Sequence, residues 1–243
     1  MAALPYKHSE HSKKSQVEEM FNNISHKYDL LNHLLSANID KVWRKRTIKK
    51  LKKYHPAYIL DVATGTADFA IEAAKLGGVK IVGIDISAGM LEVAQKKIEK
   101  KGLTEIIELF KADSENLPYE KNTFDAAIVG FGVRNFETLK KGLAEILRVI
   151  KPGGVFFILE FSKPEKTPFK QLYHFYFTKI LPLIGRAVSS DNNAYTYLPE
   201  SVNEFPDGDR FLSILAEVGF VDNKCFLQTF GIASVYEAHK AEN

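Results

Sequence analysis

Apolar residues recur along this chain in two rhythms, and the change between them divides it. In the first stretch Phe21, Ile24, Tyr28, Leu31 and Leu35 repeat at three- and four-residue steps, which puts them on one face of a helix beginning near residue 15. A second helix is predicted over residues 40–54, with Val42, Trp43, Ile48 and Leu51 as its apolar side; Pro56 blocks its continuation. From residue 58 onward, short apolar runs alternate with helical patterns. Strands are predicted at 58–63, 80–85, 106–112, 126–131 and 155–160, and helices at 68–75, 87–101 and 138–150, with a turn at 151–154. The rhythm breaks at residue 162. Residues 163–206 hold five prolines and many aromatic residues, and then a helix (209–218) and two strands (219–228, 232–239) resume the pattern.

This order predicts an α/β fold: a Rossmann-like, doubly wound, mostly parallel seven-stranded sheet covered on both faces. It carries an N-terminal helical segment and a helical insert after the fifth strand. The expected organisation is a disordered N-terminus at 1–14 and a single domain at 15–243, with a helical cap at 15–56 and an aromatic-rich substrate insert at 163–206.

Composition narrows the class. A chain of 243 residues with 45% hydrophobic and 26% charged residues is neither collagen-like nor wholly disordered. It has no apolar run of the ~18 residues a membrane-spanning helix needs. The first fourteen residues lack the apolar core of a secretory signal. Cys225, the single cysteine, can form neither an internal disulfide nor a cysteine zinc site, and a reducing cytoplasm is the expected compartment. Charge is uneven: residues 1–56 hold twelve Lys/Arg against five Asp/Glu, while the remainder is mildly acidic. The basic front suits either a solvated helix or peripheral contact with an anionic membrane, and the acidic body argues against nucleic acid as a partner.

The sharpest local signal runs from Leu60 to Asp68, where a strand passes into a helix. Gly65 permits a tight turn and close approach of a ligand. Asp85, twenty residues on at the end of the next strand, can accept both hydroxyls of a ribose. A dinucleotide site would ask for three glycines, whereas Gly65 here is followed by Thr66, Ala67, Asp68, Phe69 and Ala70. Asp68 in the first helical turn would also repel a phosphate. A ligand with ribose and no phosphate fits better, such as S-adenosylmethionine, whose cationic end suits Asp61. Asp113 and Ser114 end the third strand, where an acid either accepts from the adenine amine or caps the strand.

These residues resemble a known family, the ubiquinone/menaquinone biosynthesis C-methyltransferases within the class I S-adenosylmethionine-dependent methyltransferases. Four stretches carry the resemblance: Tyr28-Asp29-Leu30-Leu31-Asn32 continuing to Trp43; Asp61-Val62-Ala63-Thr64-Gly65-Thr66; Phe131-Gly132-Val133-Arg134-Asn135; and Arg148 through Gly154 to Glu160-Phe161-Ser162. The segment from Tyr195 to Ser201 is also similar. The chain departs from the family's pattern at Ala67, where glycine is usual, at Leu31, at Asp40 and at Gly130.

The resemblance implies C-methylation of the ring of demethylmenaquinol by S-adenosylmethionine, with no metal. The alternatives are a polyprenyl methoxy-benzoquinol as substrate or a non-catalytic cofactor-binding assembly subunit. It implies Arg134 and Asn135 as catalytic residues and Asp61, Gly65, Thr66, Asp85, Asp113 and Ser114 as cofactor contacts. Tyr28, Asn32 and Tyr197 are the expected substrate contacts. Arg134 stays protonated, so its expected part is to stabilise a phenolate and hold a water that takes the proton. His33 is an alternative acid or base. The expected partner is a polyprenylated hydroquinol, whose tail the insert would either wall in or leave for an enlarged core. A homodimer is compatible with such a chain.

Overall fold

The structure, a computed structural model, describes residues 3–36, 38–176, 179 and 193–242. Its seven strands form one sheet in the order β3-β2-β1-β4-β5-β7-β6. They are β1 (Tyr58–Val62), β2 (Lys80–Asp85), β3 (Ile107–Lys111), β4 (Phe124–Gly130), β5 (Ile150–Phe161), β6 (Val221–Gln228) and β7 (Ala233–His239). The five strands β3-β2-β1-β4-β5 pair in parallel, and β7 joins β5 and β6 antiparallel. This is the doubly wound arrangement the alternating pattern predicts.

Alternation of side chains builds two cores, one on each face of the sheet. Leu60, Val62, Ala127, Val129, Phe156 and Ile158 face one side, where α5 (Leu139–Val149) brings Leu143 and Ile146. The helix Asp209–Val218 brings Phe211 and Leu215 to the same side. Ile59, Ala126, Ile128, Phe157 and Leu159 face the other, covered by α2 (Ile39–Leu51), α3 (Asp68–Ala73) and α4 (Ala88–Lys100). Burial on both faces is why the central strands read as continuous apolar runs.

The remaining helices stand over the carboxyl edge of the sheet. They are α1 (Lys13–Leu35), α6 (Phe169–Phe175) and α7 (Asn193–Glu204), the Asp209–Val218 helix being α8. α1 starts two residues before its expected position. Its packed stripe is Val17, Met20 and Ile24 against Met90, Ala194 and Tyr197, with Phe21 and Tyr28 along its margin. Leu31 and Leu35 lie outside the residues whose side chains are described.

Two expectations are corrected. The N-terminal segment is packed rather than disordered. Ala3 is buried and its N–H donates to Glu204, the Tyr6 N–H donates to Gln16 Oε1 at 2.9 Å, and Lys7 pairs with Glu200 at 2.7 Å. Its apolar residues are too few to show a period, yet they find α7 to pack on. The second correction concerns residues 151–154, which are an excursion within β5 rather than a separate turn. Ile150 pairs with Phe124 while Val155 pairs with Ala126, so the extra residues bulge out, with Gly153 at φ +74°.

A close approach anchors the turn that carries Arg134 and Asn135. Phe136, directly after it, is buried against Gly142 of α5, where a Cβ would stand 2.5 Å from the phenyl ring. Gly142→Ala therefore overpacks this contact by ~1–3 kcal/mol, outweighing the ~1 kcal/mol that alanine adds to a helix. Chemical denaturation should show a lower midpoint; an unchanged or higher midpoint refutes the packing argument.

Candidate functional site

β1 and β4 lie side by side, yet their outgoing connections cover opposite faces, so a crevice opens at their carboxyl ends. It encloses about 690 Å³ open to solvent, walled by the ends of β1 to β4 and roofed by α1.

The loop after β1 is built around buried carboxylates. Asp61 is fully buried; its Oδ2 accepts from Thr64 Oγ1 at 2.6 Å and from the Ala70 N–H at 3.0 Å. Its Oδ1 is buried with no hydrogen-bond partner among the described residues. Burial lifts the Asp61 carboxyl to about 7. Gly65 takes φ +56°, and its N–H donates to Asp85 Oδ2 at 2.8 Å. Asp85 Oδ1 accepts from the Ser87 N–H at 2.8 Å, and burial lifts this carboxyl to about 6. A carboxylate has about four lone-pair sites. The Ile86 N–H also bonds this carboxylate, which keeps acceptor capacity for ribose hydroxyls beyond these backbone donors. Ala67 holds φ +63° just before α3, a left-handed conformation that explains why glycine is usual there.

α1 is tied to this loop at several points. Asn22 Oδ1 accepts from Ser87 Oγ at 2.8 Å and from the Gly89 N–H at 3.0 Å, at the start of α4. Tyr28 lies over the loop; a Cβ at Gly65 would stand 4.0 Å from its ring. Thr66 donates its hydroxyl to Asp29 Oδ1 at 2.5 Å. Lys97 of α4 joins Asp29 Oδ2 at 2.7 Å and Asp68 Oδ1 at 2.5 Å. The Thr66 hydroxyl is thus engaged inside the protein, and Thr66 is not among the lining residues of the cleft.

The other expected positions divide. Asp61 lies behind the loop, whereas Gly65, Asp85, Asp113, Ser114, Asn135 and Tyr28 line the cleft. Asp113 is already paired: its Oδ2 meets Lys14 at 2.7 Å and its Oδ1 accepts from the Glu115 N–H at 2.9 Å. Asn135 Oδ1 accepts from Tyr197 Oη at 3.0 Å, and burial pushes the Tyr197 phenol up to about 12. The Arg134 side chain is 7% exposed, does not line the cleft, and pairs with Glu160 at 2.8 Å. Asn32 and His33 lie outside the residues whose side chains are described, as does much of the insert.

Four residues escaped the sequence reading: Lys13, Lys14, Asn22 and Lys97. Lys13 Nζ donates to the carbonyls of Arg134 at 3.0 Å and Phe136 at 2.9 Å, strapping the start of α1 to the turn after β4. Their partners are far away in sequence, so no local spacing marks them. Among the described residues, no group of three or more His, Cys, Asp or Glu is placed to hold a metal ion.

Acidic ends on three adjacent strands, with a glycine turn on the first, define a class I methyltransferase architecture. A family model described as the ubiE/COQ5 methyltransferase family matches residues 9–240. The demethylmenaquinone methyltransferase of Bacteroides fragilis is 45% identical over 229 residues, covering 94% of this chain and 94% of the relative. The ubiquinone/menaquinone biosynthesis C-methyltransferase UbiE of Geobacter sp. (strain M21) is 46% identical over 230 residues, covering 94% and 97%. The chain belongs to the ubiE/COQ5 methyltransferase family.

Solved structures share the fold at low identity. A SAM-dependent methyltransferase from Aquifex aeolicus superposes with a TM-score of 0.57 at 21% identity, covering 79% of this chain and 88% of that one. Phosphoethanolamine N-methyltransferase 2 of Haemonchus contortus, in complex with S-adenosyl-L-methionine, gives 0.59 at 16% identity, covering 81% and 52%.

The residues present fit that cofactor. Asp61 Oδ1 is an orphaned acceptor suited to an ammonium, and Asp85 retains acceptor capacity for a ribose diol. Asp85→Ala should weaken S-adenosylmethionine binding by ~2–3 kcal/mol in calorimetry, the loss of charge-assisted bonds. The raised carboxyl sets the sign with pH. Above about 7 Asp85 is ionised and affinity is flat; as pH falls through about 6 it protonates and affinity drops. Equal affinity at pH 5 and pH 8 would remove Asp85 from the ribose site.

Proposed function

We propose that this chain methylates a ring carbon of demethylmenaquinol, giving menaquinol. The observation that carries the reading is the shared crevice: the turn holding Asn135 closes the same space as Gly65 and Asp85. The name of the 45%-identical Bacteroides fragilis relative supports the naphthoquinol. The Geobacter relative's name covers both quinones, which keeps a methoxy-benzoquinol as the second reading.

When bound, S-adenosylmethionine supplies an electrophilic methyl group on a sulfonium. Asp85 would hold its ribose portion and Asp61, from behind the loop, would favour its cationic amino-acid end, while Asp113 with Ser114 would meet the adenine, with Lys14 sharing the Asp113 carboxylate. Gly65 lets the backbone come close. In the transfer a bond would form between a ring carbon and the methyl carbon, the S–C bond would break with its electron pair to sulfur, and the ring proton would pass to water. The ring carbon is nucleophilic only as the neighbouring hydroxyl loses its proton. Arg134 stabilises that developing phenolate and holds the water that accepts the proton. Asn135 orients the ring oxygen, itself fixed by Tyr197. Tyr197, with its phenol at about 12, stays protonated at neutral pH and serves as a donor.

The partner chemistry follows from the same reading. The polyprenyl tail leaves the ring beneath the insert, beside α6 and α7. The exposed cations of α2, Lys41, Lys45, Arg46 and Lys49, meet an anionic bilayer from which that tail is drawn. No helix among the described residues is long and apolar enough to cross a membrane. A peripheral cytoplasmic enzyme is the corresponding proposal.

Purified protein incubated with methyl-labelled S-adenosylmethionine and a panel of reduced naphthoquinols and benzoquinols tests the reading. Label in the naphthoquinol product, with mass raised by one methylene, is the expected outcome; label in benzoquinols alone selects the second reading. Arg134→Ala should lower kcat ~10²–10³-fold while cofactor affinity survives. Near-normal kcat in single turnover would remove Arg134 from the chemistry.

A further inference from the structure

Glu160 is the residue in this region that the proposed chemistry leaves without a part. It stands second from the end of β5, opposite Ser234 of β7, and is fully buried. Its Oε1 accepts from Arg134 Nη1 at 2.8 Å and from the Phe161 N–H at 2.8 Å. Its Oε2 lies 3.5 Å from the Arg134 backbone N–H, so the carboxylate engages the side chain and the main chain of one residue.

The guanidinium is otherwise held by little. Nη1 also donates to the Phe131 carbonyl, and the group lies 5.5 Å over the Phe161 ring. Nε is buried without a hydrogen-bond partner among the described residues. Burial keeps the Glu160 carboxyl above the ordinary range even though Arg134 opposes the shift. A buried carboxylate with one cationic neighbour is costly unless that neighbour matters, because an apolar pair of similar volume would pack as well. The titratable groups within reach of the pair are Tyr173 of α6 and Tyr197 of α7, with Lys13 of α1 on the Arg134 side. Asp207 and Glu204 act on those three from beyond.

We propose that Glu160 is the positioning residue of the methyl transfer: it aims the Arg134 guanidinium and sets how much of its charge a substrate phenolate feels. This rests on the role given to Arg134 above. With no phenolate present, Glu160 is the counter-ion that allows a guanidinium to stay buried. As the phenolate forms, the charge of a guanidinium already fixed by Glu160 acts on it from behind the turn that carries Asn135, the condition for electrostatic stabilisation. The carboxylate also offsets part of the cationic charge, so the bound phenol is less acidic than it would be beside a lone arginine.

Three variants separate this from a structural role: Glu160→Ala, Glu160→Gln and the double variant Arg134→Ala/Glu160→Ala. Each is assayed with labelled S-adenosylmethionine and a reduced naphthoquinol, with calorimetric cofactor affinity as the fold control. Glu160→Ala should lower kcat about 10- to 100-fold with little change in KM, since the guanidinium loses its aim. In the Arg134→Ala background the same change should cost nothing more, because Glu160 acts only through Arg134. Glu160→Gln keeps the acceptor oxygen and should recover most of kcat. Its acid limb of kcat should lie about one unit lower in pH, the carboxylate no longer offsetting the arginine.

Independent, multiplying losses from the two alanine changes overturn the proposal, as does wild-type kcat in Glu160→Ala. If Glu160→Ala fails to fold, the Gln variant decides: an unmoved pH profile overturns the proposal. Full activity in Arg134→Ala alone would instead defeat the reading of Arg134 itself, and the role of Glu160 with it.

Discussion

The bond from the Gly65 N–H to Asp85 Oδ2 ties the end of β2 to the loop after β1, and the rest of the site depends on that tie. The loop must leave β1, hold Gly65 at φ +56°, and enter α3 through Ala67 at φ +63°. Ala63 at φ +51° is left-handed as well, and for the two alanines this is unfavourable in a free chain, so something must over-determine the loop. Asp85 does this at Gly65, and Asp61 does it from behind through Thr64 and the Ala70 N–H. Once the loop is fixed, Thr66 presents its hydroxyl to Asp29, and α1 gains a docking point. The roof of the cleft is therefore a consequence of its floor.

Much of the fold was legible because both faces of the sheet are covered. Leu60, Ala127 and Phe156 belong to one core and Ile59, Ala126 and Phe157 to the other, so the central strands β1, β4 and β5 are apolar runs that no loop imitates. The positions of Gly65 and Asp85 were legible for a related reason: parallel strands end at one edge, and a twenty-residue spacing returns the chain to it. The family resemblance added Arg134 and Asn135, which no periodicity marks.

What was not legible depended on distant partners. Residues 3–12 have too few apolar positions to display a period, yet Ala3 and Lys7 find Glu204 and Glu200 on α7. Lys97 reads as one more surface lysine on α4; only the fold brings Asp29 and Asp68 to it. Thr66 is a cofactor contact by the family resemblance, and the bond from its hydroxyl to Asp29 of α1 is visible only in the fold. Lys151 to Gly154 carries strong turn chemistry, and the sheet absorbs it as a bulge because Val155 recovers the register against Ala126. In each case tertiary geometry chose a partner that local chemistry does not mark.

The electrostatics of the cleft show why its buried acids are costly and how a cationic ligand would relieve them. Asp61 and Asp85 are both buried, each raises the cost of ionising the other, and no cation in the described structure salt-bridges either. Burial is the main cause of both carboxyls standing high, Asp61 at about 7 and Asp85 at about 6, so ionising them costs the fold stability. The sign follows directly. A carboxyl raised on folding favours the native state most when protonated, and that advantage is lost as pH rises through the raised value. A cationic ligand reverses the balance, because its charge favours the ionised form of both groups. Binding and deprotonation would then be linked, and the buried acids that cost the fold stability are the ones that would favour a positively charged ligand over a phosphate.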